Sequence, residues 1–276
     1  MTITCGAHQL SLQQPRIMGI INVTPDSFFA GSRCATPQDV LARASRMVAQ
    51  GVDIFDVGAY STRPGACEVS EAGELQRLTA VLDVLTTHFP QVMLSIDTFR
   101  AGVVERLHDR YGAFIVNDVT AGEADPQLIA VTARLQLPYV VMHSRGNPQT
   151  MQQLTGYDDV TREVVAFLQS KMEACVRMGI RQVILDPGFG FAKTVEQNYT
   201  LFRNIAAMTA MGAPLLVGIS RKTMLWKPLG ITPDDALTAT SALHLQALLQ
   251  GAHILRVHDV EAARQMIKLW ELTKTC

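Results

Sequence analysis

The chain has 276 residues, of which 48% are hydrophobic and 18% are charged, so it can bury the core of one large α/β domain or of two average ones. Its 24 basic and 25 acidic residues give a formal charge of −1, which argues against binding to nucleic acid or to an anionic membrane. The five cysteines are scattered without a metal-ligand spacing. Neither a signal peptide nor an apolar run of roughly 18 residues is found. These features predict a soluble cytoplasmic protein with reduced thiols.

Short apolar segments rich in β-branched residues alternate with longer amphipathic segments from residue 17 onward. Eight of the short segments are predicted strands, at 17–22, 53–58, 92–97, 114–118, 138–143, 182–186, 215–220 and 253–258. Each is too apolar for a strand with one solvated face, which is typical of a parallel sheet whose two faces are both covered. Two of the intervening helices are predicted to begin at a Thr–Pro pair, with Thr36 and Thr232 as N-caps, and to end at Gly51 and Gly251.

Eight βα units in about 260 residues predict an α/β fold of the TIM (β/α)8 barrel class, forming a single domain over residues 1–276. Residues 1–16 precede the first unit and are predicted to form a short β-hairpin extension that closes the bottom of the barrel. A doubly wound open sheet is the alternative. It normally has fewer strands and a glycine-rich turn after the first one, where this chain has "NVTPDS".

Polar or ionisable residues lie at or just after the ends of all eight predicted strands. In a TIM barrel those ends surround one pocket, so their side chains are candidates for an active site. A single polar strand end is common, but eight of eight beside apolar strand bodies favour a functional role. The residues include Asn22, Asp97, Asn117, His143, Asp186, Lys222, Arg256 and His258.

These strand-end residues fall into two chemical groups. The group that suits a flat nitrogen heterocycle comprises Asp97, Asn117, Asp186 and Lys222. Buried carboxylates require N–H donors, and an amide and an ammonium can bind a ring nitrogen and an oxo group. The group that suits a phosphate or pyrophosphate comprises Asn22, Arg63, Arg256 and His258. Such an anion is expected to arrive with Mg²⁺, close to Asn22 and Asp26.

Two of the strand-end residues admit another interpretation. Lys222 could form a Schiff base, as lysines do in some barrel aldolases, although the adjacent Arg221 and the facing aspartates favour ion pairing. His143 is more readily explained as a packed histidine at a strand end than as a catalytic base.

Eight segments, in chain order, resemble the motifs of the dihydropteroate synthase family of pterin-binding TIM barrels. They are "NVTPDSF", "DVGAYSTRPGA", "SIDT", "NDV", "VVMHSRGNPQTM", "LDPGFGFAK", "LVGISRKTM" and "GAHILRVHDV". The resemblance extends from about residue 16 to residue 270. It implies an enzyme of folate biosynthesis that condenses 6-hydroxymethyl-7,8-dihydropterin pyrophosphate with p-aminobenzoate to give 7,8-dihydropteroate and pyrophosphate. It also implies a homodimer, a Mg²⁺ cofactor and competition by sulfonamides.

The resemblance assigns roles to the residues that match the motifs. The implied pterin-binding residues are Asp97, Asn117, Asp186 and Lys222, and those that pack beside the ring or complete the substrate site are Met142, Phe191 and Gly218. The implied ligands of the pyrophosphate and its Mg²⁺ are Asn22, Arg256 and His258, with Asn22 on the metal. The residues that would close over the anion are Thr62 and Arg63. The implied p-aminobenzoate pocket comprises Phe28, Pro64, Lys222 and Thr223. Catalysis is assigned to Asp97, Asp186, Lys222, Arg256, Thr62 and Arg63.

The mechanism implied by the resemblance begins with loss of pyrophosphate, which leaves a delocalised pterin cation that the arylamine attacks. No nucleophilic side chain is required, so Lys222 is interpreted as a binding residue. Two rival functions remain open at this point. One is transfer of a methyl group from methyltetrahydrofolate by a related barrel, and the other is a catalytically silent pterin-binding paralogue that serves as a partner or regulatory subunit.

Five residues depart from the family's usual pattern. Ala30 replaces a carboxylate in the first loop, Tyr60 replaces a glutamate, Ser144 stands where methionine is common, and Ala192 and Trp226 each replace a glycine. None of these changes removes an implied ligand of the pterin or the anion. We expect the first loop to act as a lid that brings Phe28 against the aminobenzoate ring and works without the carboxylate at Ala30.

Overall fold

The computed structural model describes residues 1–23, 36–60, 69–146 and 150–274. Its main sheet has eight parallel strands: β3 (Arg16–Asn22), β4 (Ile54–Gly58), β5 (Met93–Asp97), β6 (Ile115–Asp118), β7 (Tyr139–Met142), β8 (Val183–Asp186), β9 (Leu216–Val217) and β10 (Ile254–Val257). They pair in the order β8-β7-β6-β5-β4-β3-β10-β9. A further parallel bridge between Leu185 and Leu215 brings β8 beside β9, so the sheet closes on itself. The predicted barrel is confirmed, and the open doubly wound sheet is wrong.

Ten helices lie in the described part of the chain, most of them around the outside of the barrel. They are α1 (Pro37–Ala49), α2 (Glu71–His88), α3 (Ala101–Tyr111), α4 (Leu128–Arg134), α5 (Val160–Arg177), α6 (Val195–Arg203), α7 (Ile205–Thr209), α8 (Thr223–Leu229), α9 (Leu237–Leu249) and α10 (Val260–Lys274). None of these described helices has the length and the apolar character needed to cross a membrane.

The first of the two helices predicted from a Thr–Pro pair is confirmed. Thr36 caps α1 by accepting a hydrogen bond from the backbone N–H of Asp39, whose side chain accepts in return from the N–H of Thr36. Pro37 occupies the first turn, where its missing N–H costs nothing. Gly51, with φ of 86°, follows the end of the helix.

The predicted start of the second such helix is wrong, because α9 begins at Leu237 and not after Thr232. The hydroxyl of Thr232 donates to Asp235 at 2.6 Å, which forms a local turn in place of a cap. The guanidinium of Arg221 donates to the carbonyls of Pro233 (2.8 Å) and Asp234 (2.6 Å). These two carbonyls therefore accept hydrogen bonds from a side chain and not from the N–H groups of a helical turn. The predicted end at Gly251 is confirmed.

The seventh barrel strand is also shorter than predicted. β9 contains only Leu216 and Val217, whereas the apolar run continues to residue 220. Beyond the strand the backbone turns, and the N–H of Lys222 donates to the carbonyl of Ile219 at 3.1 Å. This turn carries Lys222 from the strand end to the start of α8.

The N-terminal extension is the predicted hairpin, with β1 (Thr2–Cys5) antiparallel to β2 (His8–Ser11). Its buried side chains Ile3 and Cys5, followed by Leu12, join an apolar cluster inside the barrel. The other members of that cluster come from the first half of each barrel strand: Met18, Ile54, Met93, Ile115, Val140, Ile184, Leu216 and Ile254. The hairpin therefore closes the bottom of the barrel with apolar surface.

The alternation of side chains along each strand decides which residues reach the active-site end. Along β4, Phe55 and Val57 belong to the large core between the strands and the helices. Ile54 instead belongs to the cluster inside the barrel, so Asp56, two residues further on, also faces the interior. Because all eight strands are parallel, their carboxyl ends meet at one face.

Candidate active site

Strand register places several predicted site residues side by side at the carboxyl end of the barrel. Asp97, the last residue of β5, pairs with Asn117 of β6. Met142, the last residue of β7, pairs with Asp186, the last residue of β8. Arg256 lies in β10, which pairs with β3 and β9 in the same barrel, one residue before that strand ends. These five residues therefore line one end of a single barrel, as the sequence predicts.

Arg256 joins two carboxylates within this end. Its Nε donates to Asp56 at 2.6 Å and its Nη2 donates to Asp97 at 2.8 Å. Asp56 is fully buried and also accepts hydrogen bonds from the Ser95 hydroxyl at 2.7 Å and the Asn117 amide nitrogen at 3.2 Å. Since a carboxylate can only accept, the amide nitrogen of Asn117 faces Asp56 and its oxygen is directed elsewhere.

Burial dominates the electrostatics of this network. It raises the pKa of Asp97 to about 7, against the attraction of Arg256 and with added repulsion from Asp56. Burial also disfavours a charge on Arg256, but its two carboxylate partners outweigh that effect, so the pKa of Arg256 is raised. The network thus holds a fixed cation and a carboxylate whose charge is sensitive to its surroundings.

Asp186 and Lys222 form the second part of the site. Asp186 accepts a hydrogen bond from the backbone N–H of Gly188 at 2.7 Å. Lys222 donates to the carbonyl of Phe189 at 2.5 Å, and its ammonium lies 4.7 Å from the centre of the Phe191 ring. Burial raises the pKa of Asp186 against the attraction of Lys222. Burial likewise lowers the pKa of Lys222 to about 8, against the attraction of Asp186.

A third part of the site surrounds His258, which directly follows β10. Its backbone N–H donates to the Ser220 hydroxyl at 3.2 Å. Burial, followed by the positive charges of Arg256, Arg43, Arg221 and Lys222, lowers the pKa of His258 to about 3. A histidine kept neutral by so many cations marks an electropositive region that suits an anion.

Arg221 has a structural role, in agreement with the ion pairing that the sequence favours. It pairs with Asp259 through two hydrogen bonds of 2.8 and 3.1 Å, beside the start of α10. Its backbone lies in the left-handed region, with φ of 54°.

Three further predicted residues, Gly218, Thr223 and Asn22, lie at or just after strand ends on the same face of the barrel. Gly218 is buried and lies beside Arg256. A Cβ added to Gly218 would be 3.8 Å from the Cβ of Arg256. Thr223 is exposed as the first residue of α8. Asn22 is half-buried at the end of β3, whose neighbour is β10. The predictions for Asp26, Phe28, Ala30, Thr62, Arg63 and Pro64 lie outside the described residues.

Tyr60, one of the departures from the family pattern, packs against the base of the next loop. Its ring meets Phe99 edge to face, with 5.1 Å between the ring centres. The guanidinium of Arg100 lies 5.5 Å from the Tyr60 ring and donates to the carbonyl of Val69 and to the buried carboxylate of Glu74. Tyr60 therefore has a packing role at this position.

Sequence reasoning missed two residues of this end of the barrel. Asp56 lies inside a strand, whereas the sequence criterion selects strand ends. A carboxylate in the middle of the apolar run "DIFDVG" is the signal that could identify it. Lys193 is the last residue of the segment "LDPGFGFAK", and no sequence pattern assigns a role to it. It lies 2.9 Å from the Nδ1 atom of His143, which is a buried histidine packed edge to face on Phe167. The interpretation of His143 as a packed residue agrees with these contacts.

Among residues 1–23, 36–60, 69–146 and 150–274, no group of three or more His, Cys, Asp or Glu side chains is arranged to hold a metal ion.

The fold and the buried polar network define a barrel enzyme of the pterin-binding class. The family described as "Pterin binding enzyme" matches residues 18–258, and the chain belongs to that family. Its relatives include dihydropteroate synthase from Escherichia coli K12, which is 40% identical over 275 residues, covering 99% of this chain and 96% of the relative. Dihydropteroate synthase from Synechocystis is 42% identical over 256 residues, covering 92% of this chain and 88% of the relative.

Solved structures agree with these relatives. The Yersinia pestis dihydropteroate synthase in complex with a sulfonamide drug is 38% identical, with a TM-score of 0.94 and full coverage of both chains. The Thermus thermophilus enzyme in complex with 4-aminobenzoate is also 38% identical, with a TM-score of 0.87 and 99% coverage of both chains. The resemblance to the dihydropteroate synthase family is therefore confirmed.

Proposed function

We propose that this chain is a dihydropteroate synthase of folate biosynthesis. It would join 6-hydroxymethyl-7,8-dihydropterin pyrophosphate to p-aminobenzoate and release 7,8-dihydropteroate and pyrophosphate. The observation that carries the proposal is the buried polar network at the carboxyl end of the barrel, in a chain similar to dihydropteroate synthases over nearly its whole length.

The proposed pterin site lies between Asp97, Asn117, Asp186 and Lys222. Asp186 is buried and accepts from the backbone N–H of Gly188, and the adjacent N–H groups of a pterin would supply two further donors. Lys222 and the Asn117 amide oxygen would bind the oxo group and a ring nitrogen. Met142 and Phe191 would pack near the ring.

The proposed anion site lies beside it, at the ends of β3 and β10. Arg256 and His258 would bind the pyrophosphate, and Gly218 lies beside Arg256. The surroundings of His258 support this assignment, because its pKa is lowered first by burial and then by four nearby cations, and those cations also attract an anion. Thr62 and Arg63 are proposed to close over the pyrophosphate, and Phe28, Pro64, Lys222 and Thr223 to form the p-aminobenzoate pocket.

Mg²⁺ is the proposed cofactor, held by the side-chain oxygen of Asn22 together with the pyrophosphate. The donor set fits, because a neutral amide oxygen beside an electropositive anion site suits an ion that takes most of its ligands from water and phosphate. When bound, the ion supplies additional neutralisation of the leaving group's charge.

The proposed reaction has two steps. The bond between the pterin methylene carbon and the pyrophosphate oxygen breaks, and Arg256 and His258 stabilise the departing anion. Asp97 and Asp186 favour the delocalised pterin cation that remains. The nitrogen of p-aminobenzoate then attacks the methylene carbon, a C–N bond forms and the nitrogen loses one proton. Lys222 donates to a carbonyl and lies over a ring, and neither proposed step needs a nucleophilic side chain, so a Schiff base is not part of the proposal.

We further propose one catalytic domain, a homodimer and a cytoplasmic location. Exposed apolar side chains on the outer helices, such as Leu249 of α9 and Leu269 of α10, support association of two copies. The free thiols of Cys5 and Cys175 support a reducing compartment. Light scattering on the purified protein tests the dimer.

The experiment that tests the function is a steady-state assay with purified protein and Mg²⁺. We expect 7,8-dihydropteroate and pyrophosphate in equal amounts, and only when both substrates are present. Methyl transfer from methyltetrahydrofolate without p-aminobenzoate would favour the related methyltransferase. Pterin binding without any turnover would favour a silent paralogue.

A further inference from the structure

Lys193 is a buried cation that the proposed reaction does not use. Its side chain is only 4% exposed, and it follows the turn at residues 187–192, which links β8 to α6. The ammonium donates to the carbonyl of Gly188 at 2.9 Å and to the carbonyl of Phe191 at 3.0 Å. Its third contact is with the Nδ1 atom of His143 at 2.9 Å. All three protons of the ammonium therefore have an acceptor.

We propose that Lys193 is a positioning residue for the pterin site, because its ammonium fixes the turn at residues 187–192 against the end of β7. This inference rests on the proposed function and deepens it. The proposed pterin ligands Asp186 and Lys222 contact the turn directly, so the turn's conformation determines where both of them lie.

The turn contacts Asp186 through a backbone N–H and Lys222 through a backbone carbonyl of the next residue. The N–H of Gly188 donates to Asp186, and the carbonyl of Phe189 accepts from Lys222. The ring of Phe191 lies under the same ammonium at 4.7 Å. A shift of this turn by one ångström would therefore break contacts to the carboxylate and to the lysine at once.

The backbone of the turn is unfavourable without outside support. Gly188, Gly190 and Ala192 have φ of 66°, 82° and 48°, and the left-handed region is costly for an alanine. Gly188 also lies so close to the carbonyl of His143 that an added Cβ would be 1.9 Å from that oxygen. Asn198 holds the middle of the turn by accepting from the N–H of Gly190 at 2.7 Å. Lys193 holds both of its ends.

His143 is the buried residue outside the turn to which the Lys193 ammonium donates a hydrogen bond. A lysine ammonium can only donate, so Nδ1 must be unprotonated and the imidazole must carry its proton on Nε2. Burial, with the positive charges of Lys193 and Arg145, lowers the pKa of His143 to about 3 and keeps the ring neutral. Packing against Phe167 at 4.9 Å and Tyr157 at 6.1 Å holds the ring in place.

A lysine suits this position better than other side chains do. Methionine has a similar length but would leave two carbonyls and a ring nitrogen without a donor, and glutamine offers only two of the three protons. The lysine also acts through its charge, because it is among the cations that lower the pKa of Asp186. Burial lowers the pKa of Lys193 itself to about 7, so the cation is kept here at a cost.

The test compares Lys193→Gln and Lys193→Met with Lys268→Met, a control at an exposed lysine whose side chain is 68% accessible. Calorimetry measures the affinity of each protein for 6-hydroxymethyl-7,8-dihydropterin and, separately, for pyrophosphate. We expect the pterin affinity to fall by about tenfold in Lys193→Gln and by more in Lys193→Met, while pyrophosphate affinity and the control stay unchanged. Equal pterin affinity in wild type and Lys193→Gln would overturn the inference and leave the proposed function intact.

A second measurement does not depend on how the variants fold. Nitrogen-15 NMR of the wild-type protein at pH 6, below the pKa of about 7 that burial gives Lys193, should show His143 neutral, with its proton on Nε2. A proton on Nδ1 would contradict the contact with Lys193 and overturn the inference. If the wild-type protein fails to bind the dihydropterin at all, the proposed function is wrong, and the tautomer still decides whether the ammonium holds His143.

Discussion

The two ends of the barrel are built from the same eight strands, yet their inward-facing side chains differ completely. At the amino end these side chains are apolar, and Ile3, Cys5 and Leu12 of the N-terminal extension cover them. At the carboxyl end, two residues further along four of the same strands and four residues further along β5, they are Asp56, Asp97, Asn117, Asp186 and Arg256. Along β4 the change from Ile54 to Asp56 takes a single step of the strand's two-residue repeat.

Several ionisable groups at the carboxyl end have pKa values far from their ordinary ones. Burial raises the pKa of Asp97 to about 7 and lowers that of His258 to about 3. Such shifts mean that folding alone does not favour the charged forms of these groups. The comparison therefore indicates that the amino end supplies stability, whereas the carboxyl end gives up stability for binding and chemistry.

The largest effect should come from removing a charge at the carboxyl end. Asp186→Asn is expected to lower kcat/KM by about 10³-fold, or roughly 4 kcal/mol, because a buried carboxylate that binds two N–H groups is lost. Circular dichroism should show an unchanged fold. The matched control is Asp109→Asn at an exposed position of α3, which should leave kcat/KM as it is. Near wild-type turnover in Asp186→Asn would remove Asp186 from the pterin site.

The second prediction concerns the pH dependence that Asp97 imposes. Because burial raises its pKa to about 7, kcat/KM should fall about tenfold for each pH unit below 7, as the carboxylate that pairs with Arg256 is protonated. The acidic limb of the pH profile measures this directly. An acidic limb that begins near pH 4, the ordinary value for an aspartate, would contradict the assignment.

The same shift predicts a stability effect of defined sign. Between pH about 4 and 7 the folded protein keeps a proton on Asp97 that the unfolded chain has lost, so this group lowers stability as the pH rises through that window. Asp97→Asn should therefore gain stability relative to wild type more at pH 8 than at pH 5. Urea denaturation of both proteins at the two pH values provides the comparison.

The amino end offers the reverse experiment. Ile184→Ala, inside the apolar cluster, is expected to lower the free energy of unfolding by about 2–5 kcal/mol, because it leaves a cavity in a closed core. Activity per folded molecule should stay constant, as measured below the unfolding transition. Val176→Ala, at a valine of α5 that is 59% exposed, is the control and should change stability by no more than about 0.5 kcal/mol. A large rise in KM in Ile184→Ala would show that the two ends are not separable.

The smallest effect is expected at a helix start on the carboxyl side. Asp159 caps α5 by accepting from the N–H of Arg162 at 3.0 Å, so Asp159→Ala should cost about 1 kcal/mol of stability with kcat/KM unchanged. Asp158→Ala, one residue before the cap, is the matched control in the same denaturation experiment. Equal losses in the two variants would mean that the cap contributes nothing.

Most of the fold could be predicted from the sequence because apolar strand bodies and polar strand ends repeat eight times. The start of α9 could not, since the contacts of Arg221 with Pro233 and Asp234 are tertiary and override the local Thr–Pro pattern. Asp56 lies inside a strand and is meaningful only because Arg256 reaches it across the barrel. Lys193 depends on a turn whose positive φ angles no sequence pattern specified.

A crystal structure of the chain with bound 6-hydroxymethyl-7,8-dihydropterin pyrophosphate gives the most direct test of how the two ends differ. We expect the pterin ring between Asp97, Asn117, Asp186 and Lys222, with the pyrophosphate beside Arg256 and His258 and the amino end unchanged. A pterin bound elsewhere, or a ring that leaves Asp186 without a new hydrogen-bond donor, would contradict the assignment of the carboxyl end as the active site.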